Sequence, residues 1–177
     1  MLRTVCACSV FWRAPEFRAK DFIENIRASL ADTGLEPRYL ELELTESVLM
    51  RNAESTGSVL HVLADLGIKL AVDDFGTGYS SLSYLRKFPI HTLKIDQSFV
   101  NQMTSSPDYA TIVSAVINMA KSLRLHVIAE GVRTAEQYVL LQAQQCDEGQ
   151  GYYFGRPMVA QALAALLQTG ISPTRPQ

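Results

Sequence analysis

Four short stretches of this chain set ionisable side chains where a strand should end. They are Glu41-Leu42-Glu43-Leu44-Thr45-Glu46, Val72-Asp73-Asp74-Phe75-Gly76-Thr77-Gly78, Lys94-Ile95-Asp96 and Ala129-Glu130-Gly131. Carboxylate oxygens are hard ligands and select Mg²⁺ or Mn²⁺ over softer metals. Two such ions can activate a water and stabilise the leaving oxygen of a phosphodiester. Adjacent acids followed by two glycines suit a hard cation and a closely approaching ligand. Lys94, between Leu93 and Ile95, shares a strand face with Thr92 and Asp96. A lysine facing several carboxylates is their counter-charge, or a group that meets phosphate and attacking water. Gln150-Gly151-Tyr152-Tyr153-Phe154-Gly155-Arg156-Pro157 adds an amide, aromatic rings and an arginine. Those groups can stack a base and hold a phosphate.

Each motif also has a plainer reading. Glu41 and Glu43 alone fit the solvated face of an edge strand, the two aspartates an acidic turn, and the aromatics a core under a loop. Other chemistries find less support. His61, His91 and His126 are scattered, without the helical pairing of a zinc site. No Ser-His-acid arrangement and no phosphate loop of the nucleotide-hydrolase kind stands out. Cys6, Cys8 and Cys146 form no disulfide framework, which points to a reducing, cytoplasmic setting. The residues themselves reach as far as metal-dependent chemistry on an anionic substrate.

The elements that must position these groups alternate between strand and helix. Phe22, Ile26 and Leu30 share a helical face that Gly34 should close. Tyr39–Leu44 alternates as a strand. A helix over about Glu54–Leu66 turns Val59, Leu60 and Leu63 inward and stops at Gly67. Lys69–Asp73, Thr92–Asp96 and His126–Ala129 read as strands, and Ser80–Arg86 as a short helix. Ser106-Pro107-Asp108 opens a helix with a buried stripe of Ile112, Val113, Val116, Ile117 and Ala120. Thr134 and Gln137 form a capping box. Cys146–Glu148 reads as a last strand, Ala160–Leu167 as a last helix, and Ile171–Gln177 as a tail.

Strand-then-helix order implies parallel strands with helices packed outside. An open doubly wound sheet gathers its site from two neighbouring strands, whereas a barrel gathers residues from many strand ends around one mouth. Ionisable groups at four or five strand ends favour the barrel, with leucines turned to the helices and glutamates inward. The 177 residues fall short of the ~250 of a complete barrel, so the pattern is that of a barrel missing its beginning. Apolar residues at 47% and charged ones at 19% exclude disorder. A net charge of −2 gives no footprint for DNA or an anionic membrane, and no apolar run approaches a membrane span.

With these residues in view the chain resembles the EAL-domain family. The resemblance is carried by Glu43-Leu44-Thr45-Glu46, Asp73-Asp74-Phe75-Gly76-Thr77-Gly78-Tyr79-Ser80-Ser81-Leu82, Lys94-Ile95-Asp96, Ala129-Glu130-Gly131-Val132 and Gln150-Gly151-Tyr152, in family order. It implies an α/β fold, a (β/α)₈ TIM-like barrel of the EAL type that is N-terminally truncated here. The implied activity is hydrolysis of cyclic di-GMP to linear pGpG with Mg²⁺ or Mn²⁺, Ca²⁺ binding but inhibiting. By the same resemblance Glu43, Asp73 and Glu130 are metal ligands and Asp74 is a ligand of a second ion. Lys94 contacts the attacking water, and Gln150 lies near the metal site. Glu46 anchors the loop 74–81, and Tyr152, Phe154, Arg156 and Pro157 lie against guanine and phosphate.

The departures bear on activity. No Glu-Ala-Leu segment occurs in the chain, and Phe11-Trp12-Arg13 stands where the family has Asn-x-Ser. Arg133 replaces a glutamate. The expected division is an atypical segment over 1–16, a partial EAL domain over 17–168 and a loose tail over 169–177. Impaired hydrolysis is expected, with a homodimer covering exposed strand edges. The alternatives are a non-catalytic module that binds cyclic di-GMP or a protein partner, and a Mg²⁺ barrel enzyme abstracting a proton beside a carboxylate. The aromatic segment argues against the last.

Overall fold

The computed structural model describes residues 8–11, 21–50, 53–78 and 82–169. They divide into two compact units, the first built on residues up to Lys94 with Ala120–His126, the second on Ile95–Met119 with residues from Val127 on.

The first unit carries β1 (Cys8–Phe11), α1 (Phe22–Thr33), β2 (Leu40–Thr45), α2 (Glu46–Met50), α3 (Ala53–Asp65), β3 (Lys69–Phe75), α4 (Leu82–Leu85) and β4 (Thr92–Ile95). Its strands lie in sheet order β1-β2-β3-β4, with β1–β2 and β2–β3 parallel. Strand β1 falls in a stretch that the sequence reading leaves unassigned. Helix α1 buries Phe22 and Ile26 and ends at Gly34, whose φ of +66° suits a residue without Cβ. Helix α3 buries Leu60 and Leu63 and ends at Gly67, where Gly67 N donates to Ala64 O and Ile68 N to Leu63 O. That turn feeds the chain straight into β3, whose Leu70, Ala71 and Val72 are completely buried.

Strand β2 buries Glu41 and Glu43 as well as Leu42 and Leu44. A strand covered on both faces belongs to a parallel α/β sheet, so the solvated acidic face does not form. The strand begins one residue later than its alternation suggests. Pro37 opens a 3₁₀ turn over Pro37–Tyr39, and Leu40 N closes it by donating to Pro37 O, leaving Tyr39 exposed.

The second unit carries α5 (Gln97–Gln102), α6 (Pro107–Ser122), β5 (His126–Ala129), α7 (Ala135–Ala143), β6 (Glu148–Gly149) and α8 (Ala160–Thr169), with β5 and β6 parallel. Strand β6 starts after the expected Cys146. Cys146 N still donates to Leu141 O at the end of α7, and Asp147 Oδ2 accepts from Val127 N where strand backbone was expected. In α6, Val113, Ile117 and Ala120 are fully buried but Ile112 is 42% exposed. One residue is ~100° of helix rotation, which carries Ile112 out of the stripe. Helix α5 was not foreseen. Asp96 Oδ1 caps it, accepting from Ser98 N at 2.9 Å and from Ser98 Oγ, so Asp96 serves a helix start instead of extending the Thr92/Lys94 face.

Candidate functional site

In the first unit, three adjacent strands turn polar side chains to one face. Register sets Glu41, Glu43 and Thr45 of β2 opposite Lys69, Ala71 and Asp73 of β3. Asp73 therefore stands one same-face position beyond Glu43, and Ala71 leaves room between them. From β4, Lys94 Nζ reaches Glu43 Oε2 at 2.8 Å and Asp73 Oδ1 at 3.5 Å. All three side chains are at least 89% buried, at 5% exposure for Lys94 and 11% for each acid. Deeper along the same face, Thr92 Oγ1 donates to Glu41 Oε2 at 2.8 Å.

The charge count on this face is uneven. One ammonium meets two of the three buried carboxylates, Glu43 and Asp73, and a buried charge is tolerated only when paired. Asp73 Oδ1 is buried and makes no hydrogen bond among the described residues, the lysine meeting it as a charge at ion-pair distance. An excess of negative charge and an open carboxylate oxygen fit a hard divalent cation.

The end of β3 turns sharply. Asp74 has φ +53° and Gly76 φ +101°, and Thr77 Oγ1 donates to Asp74 O at 2.9 Å. Glu46, buried at the start of α2, accepts from Gly76 N at 3.3 Å through Oε2. A Cβ on Gly78 would stand 3.2 Å from the Glu46 carboxylate, so the bare glycine lets the loop lie close against that side chain. Tyr79, Ser80 and Ser81, part of the expected loop, lie outside the described residues.

In the second unit Glu130 follows β5 and is half-buried, its N–H donating to Ile95 O at 3.1 Å. Gln150 is exposed, but its backbone is strapped: Gln150 N donates to Ala129 O and Gln150 O accepts from Val132 N. The Arg156 guanidinium lies 4.7 Å from the centroid of the Tyr152 ring, and both residues are exposed. Pro157 is exposed beside them. Phe154 is half-buried, edge-on to Tyr153 at 5.2 Å and to Tyr138 at 6.0 Å, while Tyr153 stacks on Tyr138 at 5.4 Å. The aromatic segment thus splits into an outward pair, Tyr152 with Arg156, and a packing cluster.

Two features of these surroundings escaped the sequence reading. The Thr92–Glu41 bond joins residues far apart in sequence, and only the inward sense of Thr92 hinted at it. Gln137 was read as half of a capping box, but its amide does more than cap. It is buried, and its Nε2 also donates to Val100 O at 3.1 Å.

The fold is that of a known class. The sequence pattern of the EAL domain covers residues 5–157, and the chain belongs to the EAL-domain family. It is 44% identical over 146 residues to "Cyclic di-GMP phosphodiesterase NbdA" of Pseudomonas aeruginosa, a match covering 82% of this chain and 19% of that one. Among solved structures, the P. aeruginosa MucR phosphodiesterase in complex with c-di-GMP superimposes with a TM-score of 0.86 at 40% identity, over 89% of this chain and 64% of that one. A manganese and cyclic di-GMP complex of Klebsiella pneumoniae BlrP1 superimposes with a TM-score of 0.79 at 32% identity, over 85% of this chain and 39% of that one. The α/β fold is therefore that of an EAL domain, as the resemblance implied. The chain spans 18% to 26% of the length of the curated relatives it matches. No described helix is long and apolar enough to cross a membrane.

Proposed function

We propose that this chain carries the metal and substrate end of a cyclic di-GMP phosphodiesterase site, and that a polypeptide of residues 1–177 alone binds the dinucleotide while hydrolysing it poorly. The observation that carries this reading is the buried Glu43–Lys94–Asp73 cluster, with its surplus negative charge and open Asp73 Oδ1. Family membership gives the cluster its chemistry.

Glu43, Asp73 and Glu130 would hold one Mg²⁺ or Mn²⁺ ion and Asp74 a second. Held by these residues, such ions would supply acidification of a water and neutralisation of phosphodiester charge. Lys94 would donate to the attacking water oxygen and hold it against the phosphorus. Water adds at phosphorus, one ester P–O bond breaks, and the released alkoxide takes up a proton to give linear pGpG. Glu46 fixes the loop that begins at Asp74, and Gln150 lines the approach to the metal. Tyr152 and Arg156 offer a ring face and a guanidinium to a guanine and a phosphate, with Phe154 and Pro157 shaping the wall behind them.

The impairment follows from ligand count. Residues 1–177 hold no Glu-Ala-Leu glutamate, and Phe11, the register partner of Glu43, brings no oxygen where the family has an amide. Loss of groups that merely support metal ligands reduces affinity or activity by roughly 10–100-fold, so loss of two ligands reduces it further. A receptor reading, binding without turnover, is favoured by the exposed Tyr152–Arg156 pair. The test is chromatography of cyclic di-GMP incubated with the purified chain and Mg²⁺ or Mn²⁺. Slow, metal-dependent appearance of pGpG supports a crippled enzyme, and binding with no pGpG supports the receptor. Metal-independent hydrolysis overturns both.

A further inference from the structure

Glu130 heads a loop in which nearly every residue is pinned. Gly131 has φ +69° and packs so closely on Gln97 that an added Cβ would lie 2.5 Å from that residue's own Cβ. Val132 is completely buried, its N–H bound to Gln150 O. The next two N–H groups, of Arg133 and Thr134, both donate to a single atom, Gln137 Oε1, at 2.7 and 3.1 Å. Thr134 Oγ1 accepts in return from Gln137 N at 3.2 Å. The two bonds with Thr134 are a capping box, and the bond from Arg133 N extends it by one residue.

The other end of the same amide goes elsewhere. Gln137 Nε2 donates to Val100 O, in the last turns of α5, where carbonyls have no donor within their own helix. One side chain, 4% exposed, thereby closes the start of α7 and the end of α5, with the Glu130 loop held between them. The task needs an acceptor and a donor on one planar group. Glutamate lacks the donor, and an apolar residue lacks both and strands two N–H groups and a carbonyl.

We infer that Gln137 is a positioning residue for Glu130, holding by its three amide bonds the backbone from which that carboxylate projects toward its metal. This rests on the functional reading above, in which Glu130 is a metal ligand. Supporting groups of this kind change metal affinity by roughly 10–100-fold when removed.

The experiment titrates Mn²⁺ alone into the full 177-residue chain and four variants, Glu130→Gln, Gln137→Ala, Gln137→Glu and Thr134→Ala, following free Mn²⁺ by paramagnetic resonance, with circular dichroism to establish folding. The inference expects Gln137→Ala to weaken Mn²⁺ binding by roughly 10–100-fold. Thr134→Ala, which removes the opposite half of the cap, should lower the melting temperature and leave the affinity where it was. Gln137→Glu keeps the two acceptor bonds, loses the one to Val100, and should fall between wild type and Gln137→Ala. It also decides the matter should Gln137→Ala not fold. If both Gln137 variants lower the melting temperature and bind Mn²⁺ as the wild type does while Glu130→Gln weakens binding, Gln137 is only a cap and the inference is overturned alone. If Glu130→Gln leaves Mn²⁺ binding unmoved, or the unaltered chain binds none, the functional reading falls and the inference with it.

Discussion

Lys94 Nζ and Glu43 Oε2 are 2.8 Å apart with both side chains nearly sealed from water, Lys94 on β4 reaching across β3 to Glu43 on β2. A buried ion pair contributes little to stability by itself, because desolvation offsets attraction. Removing one partner is different, since the other is left charged and uncompensated. Lys94→Met should therefore lower stability by about 3–5 kcal/mol in the absence of metal. Mn²⁺ should restore more melting temperature to this variant than it adds to the wild type, because the ion then replaces the lost cation. Thermal unfolding with EDTA and with Mn²⁺ measures both effects. A Lys94→Met protein as stable as the wild type without metal contradicts the pairing.

Asp73→Asn keeps the shape of the side chain and removes one of the two charges facing Lys94. Its Mn²⁺ affinity should drop by at least ~10-fold, while its metal-free melting temperature holds or rises as the charge imbalance is relieved. Unchanged Mn²⁺ affinity in a titration would mean that this carboxylate is no ligand.

Thr92→Val acts one layer deeper. It removes the 2.8 Å hydrogen bond to buried Glu41, with an expected loss of about 1–3 kcal/mol. Mn²⁺ affinity should not change, because Glu41 lies two residues further into the strand than Glu43. A fall in affinity equal to that of Asp73→Asn would place Glu41 among the metal ligands.

Gly78→Ala tests the loop that follows Asp74. The new methyl would meet the Glu46 carboxylate at 3.2 Å, so that side chain must give by a few tenths of an ångström and its hold on the loop is disturbed. Gly34→Ala provides the comparison, since open space surrounds that position and only its φ of +66° resists. Calorimetry should show weakened Mn²⁺-dependent nucleotide binding for Gly78→Ala and not for Gly34→Ala, which should instead lose about 1 kcal/mol of stability. Equal binding by both variants contradicts the role of Glu46.

The polar face was legible because period-two alternation in Tyr39–Leu44 assigns each side chain a side, and leucines must turn to the helices. The same logic fixed the inward sense of Thr92 and Lys94. It failed at Asp96, where the backbone leaves the strand and the carboxylate finds the Ser98 N–H nearer than any interior partner. It also failed at Ile112, the first of five apolar residues from 112 to 120 assigned to one stripe, which the helix turns outward. The double role of Gln137 could not be read at all. A capping box is local, but its bond to Val100 joins residues 37 apart, and no spacing rule announces such a contact. The family motifs supplied roles for Glu130, Gln150 and Tyr152 that strand reading could place but not name.

The most direct test is calorimetric binding of cyclic di-GMP to the unaltered chain and to Asp73→Asn, each in Mn²⁺ and in EDTA. The account predicts binding by the unaltered chain that requires Mn²⁺ and is lost in EDTA, with Asp73→Asn weak in both. Binding of equal strength in Mn²⁺ and EDTA, or full binding by Asp73→Asn, would contradict a metal site built on the Glu43–Lys94–Asp73 cluster.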